Sequence, residues 1–455
     1  MEILSGTLLL LLTAAIVAVI VRDGRSGAVA GLSMRNLFLV GFIYFQSVSG
    51  AITAFTGMNE RGLFLNEPGV AAILFTLYAS LFVGLFLWVY GSARRWIGGP
   101  PRSVASMELS ALSAVFVAAI GVIGGLLLRF VLGTVPILGV ITIQLSVGFF
   151  TAACCLSAYA WSRNFWNVGS LISRVLVTSA SVAALLVNAF GRREILGVFM
   201  SMAFTLFYLK WRQMPRWQLV VRGSIWVGLA LVAVVLLSAA RSSGQKERSV
   251  GDYLSAIASL SGQDLVEQVV GGVVGQFAGG TSMWVIETRP DEFPYDTLHS
   301  LVYTVTFPIP RQYWEGKPNS LGRTITEQCL ISGVSSEHSF GPGLVGHVAN
   351  DNPLIALPVY ACLLAVLLAA IDARLARNDR DPLEVAFLGV GISQIFAIPR
   401  GELGLFTINA LGTMAGAWLL LMPFRYMLRP NDPDDAEALL ESGANPATDD
   451  AVQRG

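Results

Sequence analysis

Charge is scarce in this sequence. Asp, Glu, Lys and Arg make up only 13% of its 455 residues, and 30 basic residues balance 30 acidic ones. A chain without net charge offers no electrostatic footprint for a nucleic acid, so none is expected as a partner. Histidine is scarcer still, with only His299, His338 and His347 present. Four cysteines occur, without a CxxC pair. Cys154, Cys155 and Cys362 fall in apolar runs, and Cys329 has no partner in its own polar segment. These scarcities exclude a disulfide framework and a metal site of ordinary ligand spacing, and no cofactor is expected. The paired, interrupted apolar segments of an inverted-repeat transporter are also missing.

What fills the chain instead is apolar sequence, 54% of it. It comes in uncharged runs near the ~20 residues that a bilayer crossing requires. The expected fold is therefore an all-α polytopic membrane protein of about 11 transmembrane helices. The spans fall at 2–21, 36–55, 70–91, 108–132, 136–160, 169–190, 195–210, 223–240, 353–372, 382–398 and 403–424. The first resembles a signal peptide in length. It carries Glu2 rather than a cation and lacks a small-residue cleavage site before Arg22, so it reads as a retained span. Residues 195–210 are short for a crossing, and Tyr208 and Trp211 look like an interfacial belt.

Basic residues divide the loops into two sets. One holds Arg22, Arg25, Arg35, Arg94, Arg95, Arg102, Arg163, Lys210, Arg212, Arg216, Arg222, Arg374, Arg377 and Arg380; the other holds only Arg61, Arg192, Arg193 and Arg400. The richer set is expected in the cytoplasm. The N-terminus is then outside and the C-terminus inside, and one long external loop joins spans 8 and 9. The chain divides into helices 1–8 over 1–240, the loop region over 241–352, helices 9–11 over 353–429, and an acidic tail over 430–455. The tail is too poor in apolar residues to build a core, so disorder is expected there.

The long loop has its own pattern. Apolar residues from Leu265 to Phe277 recur on one helical face, which predicts an amphipathic helix within 252–286 that caps the spans or lies on the membrane surface. Phe307-Pro308-Ile309-Pro310-Arg311-Gln312-Tyr313-Trp314-Glu315-Gly316-Lys317-Pro318 follows. Its three prolines exclude ordinary helix and restrict the residues before them. Such a loop can hold Arg311 and Lys317 beside Tyr313 and Trp314, which suits an anionic, sugar-bearing ligand. The same residues also suit a loop resting in lipid headgroups.

Cations on the arginine-poor side are the other unusual feature. Arg192 and Arg193 occupy the turn Gly191–Glu194, and Arg400 the turn Pro399-Arg400-Gly401-Glu402. Together with Arg311, Lys317 and Arg323 they could form a phosphate or pyrophosphate site, since arginine stays charged and binds phosphate two-pronged. Snorkelling to headgroups is the competing reading for each one alone.

Phe307, Pro308, Pro310, Arg311, Trp314, Lys317 and Pro318, followed by Arg400-Gly401 and preceded by Gly191-Arg192-Arg193-Glu194, resemble the motifs of the O-antigen polymerase (Wzy-type) family. The resemblance covers roughly residues 180–425. It implies glycosyl transfer at the outer face of the bacterial inner membrane. A hydroxyl of one undecaprenyl-pyrophosphate-linked oligosaccharide attacks the growing chain, and lipid pyrophosphate leaves. It also implies contact with membrane lipids and with a chain-length regulator. The chain departs from the family where relatives carry Gly-Glu and then Asn-Phe-Gly, since here Gly346-His347 precedes Asn350-Asp351-Asn352. On this reading Arg192, Arg193, Arg311, Lys317, Arg323 and Arg400 grip the pyrophosphate, and Tyr313 and Trp314 stack on sugar. Glu337 and His338 are the candidate general bases, with Glu194, Asp291, Glu315 and His347 as others. An O-antigen ligase, moving polymer to a lipid A core or a protein, would share these features. A flippase would need ionisable residues deep in the spans, and Arg129 and Arg174 lie towards span ends.

Overall fold

The computed structural model describes residues 1–27, 31–57, 63–98, 109–135, 139–187, 192–215, 217–219, 221–226, 228, 278–309, 311–329 and 339–428, with Val140, Arg192 and Arg193 described for the backbone alone. Most of the expected eighth span and amphipathic helix, Pro310, Glu337, His338 and the acidic tail lie outside the described residues.

Every regular element among the described residues is helical. Eight helices are long and apolar enough to cross a membrane: Glu2–Ser26, Met34–Thr56, Pro68–Ile97, Ala111–Thr134, Ile141–Arg163, Val168–Leu186, Pro353–Arg377 and Leu403–Met427. Two shorter apolar helices cover Glu194–Leu209 and Pro382–Ala397. We label the first helix α1 (Glu2–Ser26). The second span is α2 (Met34–Phe42), a π-helical stretch (Ile43–Val48) and α3 (Ser49–Thr56). Then come α4 (Pro68–Ile97), α5 (Ala111–Leu126), α6 (Gly139–Arg163), α7 (Val168–Leu186) and α8 (Arg192–Leu209). Four short helices follow: α9 (Gly279–Thr288), α10 (His299–Thr306), α11 (Leu321–Gln328) and α12 (Gly343–Asn350). The last are α13 (Pro353–Arg377), α14 (Pro382–Gly389), α15 (Ile392–Ala397) and α16 (Leu403–Met427).

α6 is the central post, packed against α5, α7, α8 and α16. Small residues allow this: a methyl group on Gly148 would strike the Thr413 carbonyl, and one on Gly416 the Leu145 carbonyl. Close backbone approach at small residues is how helices gain dispersion contacts where lipid supplies no hydrophobic drive. The outward faces stay apolar, with Trp88, Leu112, Phe116, Leu176 and Leu354 all exposed.

The two ends of the bundle differ. At the end where α1 finishes, acids and bases are paired. Asp23 meets Arg35, Arg212 meets Asp379, and Glu384 takes both Arg374 and Arg425. Asp372 accepts from the Met34 N–H (2.7 Å), the Arg35 N–H (3.2 Å) and the Tyr90 hydroxyl (2.8 Å). Tyr208 and Trp211 belong to this end but form no interfacial belt. Both are buried, and the Tyr208 hydroxyl donates to the Leu32 carbonyl (2.9 Å). Leu32 lies in the segment before α2, so the polar tip of Tyr208 finds protein rather than headgroups.

The α14–α15 pair is the unusual apolar unit. It covers Pro382–Ala397, and at 1.5 Å per residue it falls short of a ~30 Å hydrocarbon core. Its terminal turn is therefore recessed. The Pro399 carbonyl accepts from the Gln46 side chain (2.6 Å), which stands near the middle of the second span. A lone Gln inside an apolar run is costly unless bonded, and here a π-helical stretch carries it.

Candidate functional site

The turn Pro399–Glu402 gathers the short helices around it. The Leu344 N–H also donates to the Pro399 carbonyl (3.1 Å). Gly343 adopts a left-handed φ of 67°, and a Cβ there would collide with the Gln46 amide, so only glycine serves. Ser282 of α9 donates to the Pro342 carbonyl (2.6 Å). Gly322 at the start of α11 donates its N–H to Glu402. One polar core thus joins α9, α10, α11, α12 and the head of α16.

Inside it, His347 sits with both ring nitrogens engaged. Nε2 accepts the Leu403 N–H (3.1 Å), so these partners assign the proton to Nδ1, which donates to Ser300 Oγ (2.5 Å). The Ser300 hydroxyl in turn faces Asp351, which also accepts the Ser300 N–H (2.7 Å), the Asn350 amide (2.9 Å) and the Tyr360 hydroxyl. Burial, with His299 nearby, drives His347 down to about 3, so the ring is neutral. With both nitrogens engaged, His347 is a structural knot, not a base. Burial raises Asp351 above the usual carboxylate range, against its hydrogen-bond donors. Burial also raises Glu402 to about 7, although the N–H groups of Gly322 and Leu321 oppose it.

The proline-rich loop lies beside this core. α10 carries Tyr303, whose hydroxyl is raised to about 12 by burial and by Glu402, while Arg311 acts the other way. Arg311 and the Arg400 turn therefore flank one tyrosine. Arg400 is half-buried. Arg311 donates to the carbonyls of Lys317 (3.0 Å) and Pro318 (3.1 Å) and to Asn319 Oδ1 (2.6 Å). Lys317 donates to the carbonyls of Phe307 (2.7 Å) and Ile309 (2.9 Å) and lies over the Phe307 ring. Burial, and then Arg311, lower its pKa. The two cations thus latch the loop shut, a structural task that the motif alone does not reveal. Neither forms an ion pair among the described residues.

Arg323 stands apart, paired to Glu327 (3.1 Å) on the exposed face of α11. Tyr313 and Trp314 are exposed at the loop tip. The backbone of Arg192 and Arg193 opens α8. Of the other base candidates, Glu194 is buried next to the charge of Arg129, and Asp291 and Glu315 are exposed. Arg129 lies towards the end of its span, as expected, and is buried there inside a second π-helical stretch.

Sequence reading passed over Gln46, Ser300, Asp351, Tyr360 and Glu402. Gln46 had a signal, as an amide near the middle of an apolar run. Ser300 and Tyr360 had none, because only the fold brings them to Asp351. The geometry defines a helical membrane-embedded protein with a recessed polar core and a cation-latched loop. No family model matches the chain, and no curated protein or solved structure matches it.

Proposed function

We propose that this protein is a membrane glycosyltransferase that polymerises oligosaccharide repeats carried on a lipid diphosphate. In this reading about eleven helices cross the bacterial inner membrane, and the long loop faces outwards. The observation that carries the reading is that Arg311 and Lys317 donate only to neutral oxygens, while the opposite end of the bundle neutralises its cations with acids. Positive charge is left available on one side, beside a turn recessed into apolar surroundings. Fixed cations in a poorly hydrated place stabilise charge developing on a diphosphate leaving group.

Arg311 and Arg400 are assigned to the diphosphate, with Lys317, Arg192, Arg193 and Arg323 as supporting cations. Tyr313 and Trp314 offer exposed rings for sugar faces. The general base is assigned to Glu337 or His338. They precede Phe340 in sequence, and the Phe340 N–H donates to the Gly322 carbonyl (3.3 Å) beside Glu402. Holding two bulky lipid-linked substrates in register supplies much of the remaining acceleration.

The test is reconstitution with a lipid-diphosphate-linked repeat as sole substrate. A ladder of products is expected, and Arg311→Ala or Arg400→Ala at equal expression should lower its rate about 100-fold or more. Ladders of unchanged length and rate in both variants would discard the assignment. Product that appears only when a lipid A core or protein acceptor is added would make the protein a ligase.

A further inference from the structure

Arg174 stands where a guanidinium is costly. It belongs to α7, about 9 Å along the axis from Val168 at 1.5 Å per residue, and it is half-buried. Its neighbours Leu171, Ile172, Val175 and Leu176 are exposed apolar residues, so it lies at the edge of a surface that suits lipid. The guanidinium is over the Trp161 ring (4.2 Å) and the Trp226 ring (5.6 Å). Ring faces attract the cation but do not take up its five N–H bonds. Among the described residues no oxygen accepts from Arg174 and no acid pairs with it. The Trp161 indole N–H is buried beside it and has no acceptor either. Two neighbouring donors without an acceptor call for an anion with several oxygens.

The surroundings decide which anion. The Trp226 ring lies 6.2 Å from that of Trp211, which places the group at the end of the bundle where α1 finishes. Other cations at that end have acids: Arg35 has Asp23, Arg212 has Asp379, and Arg425 has Asp381 and Glu384. Residues 139–226 contain a single acid, Glu194. It sits at the start of α8, and the far end of that helix leads to Trp211. Nothing in this stretch therefore compensates Arg174 or repels a negative ligand. Phe165 and Trp166 are exposed next to Trp161, with ring separations of 4.5 Å from Trp161 to Phe165 and 5.2 Å from Phe165 to Trp166. Exposed rings of this kind settle at headgroup level. A helical side chain leans towards the start of its helix, which takes Arg174 to the same depth.

We propose that Arg174 and Trp161 form a binding site for an anionic phospholipid. Phosphate oxygens meet the guanidinium and the indole N–H, and an acyl chain lies along Leu171 and Val175. A headgroup that carries an ammonium beside its phosphate sets a second cation next to Arg174 and binds less tightly. Soluble phosphate lacks the apolar half. The site is at the opposite end of the bundle from Arg311 and Arg400, so it stands or falls separately from the glycosyl-transfer reading.

The experiment is lipid titration of the full chain in neutral maltoside micelles, read by native mass spectrometry, with dioleoyl phosphatidylglycerol and with dioleoyl phosphatidylcholine. The wild type should bind its first phosphatidylglycerol about fivefold or more tightly than phosphatidylcholine, the scale of one basic group beside an anionic lipid. Arg174→Gln should bring that ratio to about one. Trp161→Phe keeps a ring and removes the N–H, and should weaken phosphatidylglycerol about threefold or more. Arg25→Gln, which alters an exposed cation at the same end, should leave the ratio unchanged. Equal affinities in the wild type, a ratio that survives Arg174→Gln, or one lost as fully in Arg25→Gln would overturn the site and leave Arg174 snorkelling to any headgroup. Unaltered binding by Trp161→Phe would overturn the shared donor set. Glycerol phosphate that competes at the lipid's own concentration would overturn the lipid as occupant. Photo-cross-linking needs no variant. Phosphatidylglycerol with a diazirine on its headgroup, in phosphatidylcholine nanodiscs, should label residues 161–175 above the ends of α1 and α4, and even labelling of all three refutes the site.

Discussion

Glu402 offers a quantitative test of the buried core. Its carboxyl caps the start of α11 through the N–H groups of Gly322 and Leu321, and burial still lifts it from 4.5 to about 7. A rise of that size corresponds to about 3 kcal/mol, at about 1.4 kcal/mol for each tenfold change in affinity for the proton. The folded state holds this proton more tightly than the unfolded state does. The contribution to stability is therefore complete below 4.5 and is lost as pH rises through about 7. His347 works in the opposite sense. Its contribution is present above 6.5 and is lost as pH falls through about 3. Glu402→Gln keeps an acceptor for α11 and removes the titration. Unfolding by dodecyl sulfate in mixed micelles, compared between the two proteins, isolates Glu402, because His347 is common to both. Near pH 4.5 the two should be about equally stable, and above about pH 7 the Gln form should be more stable by ~2–3 kcal/mol. Parallel stabilities at every pH, or a Gln form that is the weaker one in alkali, would refute the placement of Glu402 in a desolvated core.

Other changes separate packing from pairing. Gly416→Val should destabilise the α6–α16 contact by about 3 kcal/mol or more, since the clash is with the Leu145 carbonyl and not with a movable side chain; the same assay reads it. Glu384→Ala should cost ~1–3 kcal/mol, because it removes the buried carboxylate that Arg374 meets, while Arg425 keeps Asp381 (2.6 Å). His347→Ala leaves Ser300 and the Leu403 N–H without their partner, so a loss of about 2–4 kcal/mol is expected near neutral pH.

The apolar runs alone dictated a helical membrane protein, because a bilayer tolerates only backbones that satisfy their own hydrogen bonds. Eight of the expected crossings reappear as helices of spanning length. The stretch 382–398 was legible as apolar, but not as a helix pair too short to match the eight long ones. The turn that follows it is bonded to Gln46, more than 350 residues away in sequence. The loop cations were also legible as unusual residues in an arginine-poor set of loops. Most of their present partners were not, because all but Asn319 are main-chain carbonyls that carry no side-chain signature.

Sequence by itself thus determined the solvent of this protein and the elements that solvent permits, since length and hydropathy are properties of local chain. The tertiary structure alone decided which polar groups are buried together. Glu402, His347, Ser300 and Asp351 acquire their shifted protonation and fixed hydrogen bonds only when α10, α12 and the recessed turn exclude water around them. Desolvation belongs to the assembled neighbourhood and not to any residue in it.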